Sequence, residues 1–349
     1  MKSSDLKWSD KADYGYAIGL VRALEAVLLG RSQYDRLVRT KDVAEFISIA
    51  ADFGYSSRSQ EAAGSATEFP QVLSRAQEEN FAFFAQYCLD RWVLDLFRIQ
   101  ADVHNLKVLL KHRLTGTEPK PDELLGHGRL SLAKLGGLVA EPERARGQGP
   151  ESESELSAYR IALAEARQEF ERTGDPALID IRLDRLAQEL ALSAARPSRF
   201  LTGYFSLHAD LVNLVTLVRI KELGEEPGLF RTALLPGGRL SPELLNDLLF
   251  QDWDALVRSF KLGEFQSMLE DGLAGLRGPE RSFLRLERRA REMELDWLRQ
   301  SRWTAFGYEP LVTFYLWRAN EHTNLRRLYA AKLLGWSERE CRELIAYVE

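Results

Sequence analysis

The sequence predicts an all-α protein built from three related helical units, and three observations carry that prediction. Apolar residues recur at helical spacing through most of the 349 residues. Convincing alternating strand patterns are scarce. One amphipathic pattern is written three times, as ADVHNLKVLLKHRLTG (101–116), ADLVNLVTLVRIKELG (209–224) and NEHTNLRRLYAAKLLG (320–335).

In chain order, YAIGLVRALEAVLL (16–29) predicts a first helix, and YDRLVRTKDVAEFISIAADFG predicts a second that stops at Gly54. GYSSRSQEAAGSATEFP (54–70) reads as a polar loop. From Gln71 to Leu114 the apolar period continues through two helices or one bent one, up to Gly116. EPERARGQGPESESE (141–155) has no apolar face and mixes Pro, Gly and charge, so it is the linker candidate. DPALIDIRLDRLAQELALSAA (175–195) opens with Asp175 as N-cap and Pro176 at the first helical position. The second copy of the pattern follows. A third unit begins near PGGRLSPELLNDLLFQDWDALVRSF, and its last helix starts near Pro310. The predicted division is residues 1–135, 136–240 and 241–349, three repeats in one body.

The repeat is defined position by position. Asn105, Asn213 and Asn324 recur at intervals of about 110 residues. Each is followed by Leu (Leu106, Leu214, Leu325), with an acid three residues before it (Asp102, Asp210, Glu321). A base stands eight residues after it (Arg113, Lys221, Lys332) and Gly eleven after (Gly116, Gly224, Gly335). Two copies share a downstream echo, HGRLS (127–131) and GGRLS (237–241). At 100° per residue, acid, Asn, Leu and base fall on one side of a helix. An acid and an amide in an apolar stripe need partners. The acid and base of one copy lie about 16 Å apart along the axis, too far to satisfy each other. Two roles are open to these residues: tying neighbouring helices together, which is favoured, or contacting another protein. Three similar bundles around an axis would form a ring or funnel, suited to clasping a rod or seating on another symmetric ring.

Composition narrows the function. The 45% apolar and 28% charged content suits a globular protein, and a net charge of −5 argues against a nucleic-acid partner. Cys88 and Cys341 both lie in apolar helical stretches and read as buried thiols. No apolar run suggests a membrane span, and the start MKSSDLKWSD lacks a signal peptide's apolar stretch, which predicts a cytoplasmic location. There is no GxxxxGK[ST] cradle, HExxH pair or GxSxG elbow, so no catalytic, cofactor or metal residues are assigned. His104 and His322 stand beside the repeated Asn without ligand spacing. Asp247, Asp252 and Asp254 loosely resemble one acid cluster of an all-α prenyl-transferring enzyme, but lack the second. Trp92, Trp253, Trp297, Trp303, Trp317 and Trp336 read as core or interface filler.

Four stretches, in order, carry a family resemblance. These are DYGYAIGLVRALEAVLL, FRIQADVHNLKVLLKHRLTG, DPALIDIRLDR and GYEPLVTFYLWRANEHTNLRRLYAAKLLG. Together the chain resembles the C subunit of bacterial and archaeal V/A-type ATPases, whose equivalent in the vacuolar enzyme is the d subunit. Leu20 stands where that family usually has Arg. The resemblance implies a three-unit all-α funnel capping the proteolipid rotor ring, with the D and F subunits of the central shaft seated in its cavity. Such a part is not an enzyme. It transmits torque for proton or sodium transport from the cytoplasmic face, without entering the membrane. The helix-end bases Lys111, Arg113, Arg219 and Lys221 are candidate contact points. A helical-repeat scaffold of another soluble complex is the alternative reading.

Overall fold

A computed structural model describes residues 11–56, 68–140, 153–278 and 281–348, and among these every regular element is a helix. The start at 1–10, most of the polar loop (57–67) and most of the predicted linker (141–152) lie outside the described residues.

The helices are α1 (Gly15–Glu25), α2 (Arg31–Val38), α3 (Val43–Asp52), α4 (Phe69–Tyr87), α5 (Arg91–Thr115), α6 (Leu132–Ala140), α7 (Glu153–Thr173) and α8 (Ala177–Ala195). They continue as α9 (Arg199–Leu223), α10 (Pro227–Ala233), α11 (Pro242–Phe250), α12 (Trp253–Ser259), α13 (Gln266–Arg277), α14 (Leu284–Leu298), α15 (Glu309–Leu333) and α16 (Glu338–Glu343). The three copies of the repeated pattern lie on α5, α9 and α15, each 25 residues long.

Several boundaries differ from the sequence expectation, each for a local reason. The first helix ends at Glu25 rather than Leu29, because the Leu29 N–H is drawn away to the Glu321 carboxylate at 2.6 Å. The predicted second helix is two. The Lys332 ammonium takes the carbonyls of Val38 and Thr40 at 2.6 and 2.7 Å and closes α2. Asp42 then caps α3 by accepting from the Glu45 N–H at 2.8 Å. The long stretch 71–114 is also two helices, parted at residues 88–90. The next helix runs from Ala177 with Pro176, not Asp175, at its N-cap position, and Asp175 stands one residue further out, accepting from the Ala177 N–H at 2.8 Å. Gly116 and Gly224 end α5 and α9 in the left-handed region at φ 68°, where a side chain would be strained.

The described residues pack as two compact units: residues 90–250, and residues 11–89 together with 251–348. In the first, Val103, Leu106 and Leu110 of α5 meet Leu135 and Leu138 of α6, Tyr159 and Leu163 of α7, and Ile179 and Leu183 of α8. Lys107 and Lys111 reach across to Asp184 and Asp180 of α8, the second pair at 2.6 Å. In the second unit, Leu325, Leu328 and Tyr329 of α15 are packed with Tyr34 and Leu37 of α2, Phe46 of α3, Phe69 and Leu73 of α4, and Cys341 and Ile345 near the C-terminus. The core of the C-terminal helices is thus shared with α2, α3 and the start of α4.

Two expectations are refined. α9 is long and apolar enough to cross a membrane, contrary to the expectation that no run of the chain is. Most of it is buried within the protein, as in the core helix of a globular unit. Among the tryptophans, Trp92 and Trp317 are buried, whereas Trp303 is 79% exposed.

Candidate functional site

The acids and asparagines of the repeat, all buried, meet loop backbone rather than one another. On α5, Asn105 faces the backbone of Leu125 edge-on: its amide Nδ2 donates to the Leu125 carbonyl at 2.8 Å, and its Oδ1 accepts from the Leu125 N–H at 2.8 Å. On α9, Asn213 does the same to Leu235, at 2.9 and 2.7 Å. On α15, Asn324 donates to the Ala346 carbonyl at 2.9 Å and accepts from its N–H at 3.4 Å, with a further bond to the Tyr34 hydroxyl at 3.2 Å. An amide side chain is the group that can satisfy a peptide's donor and acceptor together, which is why Asn suits this position.

The acids take the next part of the same loops. Asp102 accepts from the N–H groups of Arg129 and Leu130, each at 3.2 Å. Asp210 accepts from the Leu240 N–H at 2.9 Å and from the Arg239 guanidinium at 3.0 Å. These residues belong to the two echoes, HGRLS and GGRLS, and each loop runs directly into α6 or α11. Gly128 and Gly238 lie so close to Asp102 and Asp210 that a Cβ on either would overlap the carboxylate oxygen. Ser131 and Ser241 then accept from the N–H groups of Lys134 and Leu244 and start the short helices.

The third copy obtains its loop from the other end of the chain. Glu321 accepts from the Leu29 N–H, and Leu29 stands two residues before α2 as Leu130 and Leu240 stand two before α6 and α11. Here Gln33 replaces the capping serine, accepting from the Gly30 N–H at 3.2 Å. Glu321 also receives the Tyr55 hydroxyl and, at 2.5 Å, the Arg318 guanidinium. Burial raises the Glu321 carboxyl above the ordinary range, opposed by Arg318 and by these hydrogen bonds. Burial, then the nearby Glu321 charge, pushes the Tyr34 and Tyr55 hydroxyls up, so both stay protonated. His322 is buried edge-on to Tyr55, and burial with the Arg318 and Arg326 charges lowers it to about 3, leaving a neutral ring.

The bases at the eighth position reach the far ends of the short helices in two copies. The Lys221 ammonium donates to the Leu249 carbonyl in the last turn of α11 at 2.9 Å, as Lys332 does to Val38 at the end of α2. Arg113 is exposed in the last turn of α5. Each motif helix therefore grips its loop, and α9 and α15 also hold the short helix beyond it at its far end.

Sequence reasoning found the acids, amides and bases but missed Leu29, Tyr34, Tyr55, Arg318 and Ala346. For Leu29 the sequence held no signal, since in the register that sets it beside Leu130 and Leu240 residues 26–30 read AVLLG and share only that leucine with HGRLS and GGRLS. The remaining candidates separate. His104 bonds the Glu123 carbonyl through Nε2, Asp252 caps α12 through the Ala255 N–H, Asp254 pairs with Arg277, and Asp247 is exposed. Among the described residues no group of three or more His, Cys, Asp or Glu is placed to hold a metal ion.

Fold and site together define a class: all-helical proteins whose repeated polar motif holds the protein's own loops and helix ends. The family model for the ATP synthase (C/AC39) subunit matches residues 17–344, so the chain belongs to that family. It is similar to the A-type ATP synthase C subunit of Methanosarcina mazei, with 22% identity over 99% of this chain and 96% of that one. It is likewise similar to the A-type ATP synthase C subunit of Methanosarcina acetivorans, at 23% identity over 95% of this chain and 92% of the relative.

Proposed function

We propose that the chain is the non-catalytic central-stalk component of a V/A-type ATPase, coupling the rotary shaft formed by the D and F subunits to the proteolipid ring for ATP-linked proton or sodium transport. It would act at the cytoplasmic face, attached through the ring. The observation that carries this reading is the family match along nearly the whole chain, from residue 17 to 344. The brace supports it mechanically. A part that passes torque needs bundles that keep their register, and a buried amide or acid bonded to a neighbouring loop penalises slippage by leaving donors unsatisfied. The division into three sequence repeats set about an axis as a funnel belongs to the same proposal, as does the bracing role of Asp102, Asn105, Asp210, Asn213, Lys221, Glu321, Asn324 and Lys332. Arg113, exposed, is kept as a candidate partner contact.

Affinity purification of the tagged chain from its native membranes tests the reading, with the D and F subunits and the proteolipid expected to co-purify. Recovery of an unrelated soluble complex instead would favour the scaffold alternative. Asn213→Leu, which strands the Leu235 N–H and carbonyl, should lower stability by about 3 kcal/mol while the folded protein still captures the shaft. Unchanged melting with lost shaft capture would turn the asparagines into partner contacts.

A further inference from the structure

We propose that an arginine-lined cavity in the unit of residues 11–89 and 251–348 binds an extended polyanion of the phosphate type, carrying two or more phosphate groups. The cavity encloses about 320 Å³ along one face of α14, between α13, the start of α2 and the C-terminal segment. Four guanidinium groups line it, Arg31, Arg288, Arg289 and Arg299, against two carboxylates, Glu292 and Asp296.

The arginines differ in how far their bonds are used. Arg289 is engaged, donating to Asp271 at 2.6 Å and to Glu292 at 3.0 Å. Arg288 and Arg299 are not. Their Nε atoms lie 3.7 Å from Glu292 and 3.3 Å from Asp296, close enough for attraction, yet neither makes a hydrogen bond and both are buried. A buried guanidinium N–H without an acceptor is unfavourable, and the planar fork of arginine matches phosphate oxygens two at a time. Spacing sets the ligand's length. Arg288 and Arg299 are eleven residues apart, about 16 Å along a helix, a span that their long side chains shorten from both ends, so two linked phosphates fit between them better than one. Arg31 stands over the Tyr347 ring at 5.2 Å, and that ring with Met268 and Met293 supplies the apolar part of the wall.

The test is calorimetric titration of the purified full chain with inorganic phosphate, pyrophosphate and ADP at one ionic strength. Saturable binding of pyrophosphate or ADP is expected, with inorganic phosphate weaker. Tighter pyrophosphate assigns a free polyphosphate, and tighter ADP a nucleotide. Arg288→Gln and Arg299→Gln should each weaken binding at least tenfold, while Arg185→Gln, in the other unit, leaves it unchanged. Heats that vanish at matched ionic strength, or binding by the two variants as tight as the wild type's, overturn the proposal. A second measurement needs no variant. Of the three methionines, Met268 and Met293 line the cavity, so pyrophosphate or ADP must shift both methyl resonances. Unmoved methyls at saturating ligand also overturn it. Neither result depends on capture of the shaft.

Discussion

His322 is the residue whose chemistry the fold constrains most. Both ring nitrogens are buried without a hydrogen-bond partner, and burial with Arg318 and Arg326 lowers it to about 3. Between that value and the ordinary 6.5 the unfolded chain binds a proton that the folded chain refuses, so this group's contribution to stability falls as pH falls. Glu321 acts in the opposite sense: its raised carboxyl makes the folded state bind a proton more readily, above the ordinary 4.5, so its linked stability grows on acidification. His322→Phe, keeping a ring against Tyr55, isolates the first effect. Urea unfolding should show the wild type losing about 1.4 kcal/mol relative to the variant between pH 7.5 and 5.5. Parallel curves for the two proteins would refute it. The position of His322 beside the repeated Asn was legible in the sequence. Its isolation was not, because the ring packed against it, Tyr55, comes from a segment more than 260 residues away.

At the scale of elements, each long motif helix holds its short partner through one loop, and on α5 and α9 a glycine permits the closest approach. Gly238→Ala should therefore destabilise the unit of residues 90–250 by about 1–3 kcal/mol, since the added methyl overlaps an Asp210 carboxylate already held by Leu240 and Arg239. Calorimetric melting measures the loss, and an Asp210→Ser background should remove most of the alanine penalty. Equal penalties in both backgrounds would place the strain elsewhere. The sequence displayed both halves of this joint, the Asp-x-x-Asn pattern and the GRLS echo, as separate features. Periodicity reports which residues face inward, but not which loop, 20 to 30 residues on, will meet them. The split of α2 from α3 was hidden for a similar reason, since its terminating cation, Lys332, is supplied from 294 residues away.

For the whole molecule, the all-α class and the family were legible because helical periodicity and the four ordered stretches are local. The sharing of one core by residues 11–89 and 251–348 was not, because no local pattern encodes a contact across nearly 300 residues. Removing residues 344–349 deletes the Ala346 backbone that Asn324 and Asn320 hold. Hydrogen exchange should then quicken across α2 and α3 as well as α15, while α5 to α9 keep their protection. Loss of protection confined to residues 338–343 would show that the shared core does not act cooperatively. The joint between Leu29 and Glu321 also fixes an order of events during synthesis. Residues 90–250 contain the loops that their own two braces hold and can fold as they emerge from the ribosome. Helices α1 to α4 are made earlier yet must wait for α15 before Tyr34, Phe46 and Phe69 find their cover. The segment made first of the two is the last to be finished, and that interval is when chaperone protection would matter most.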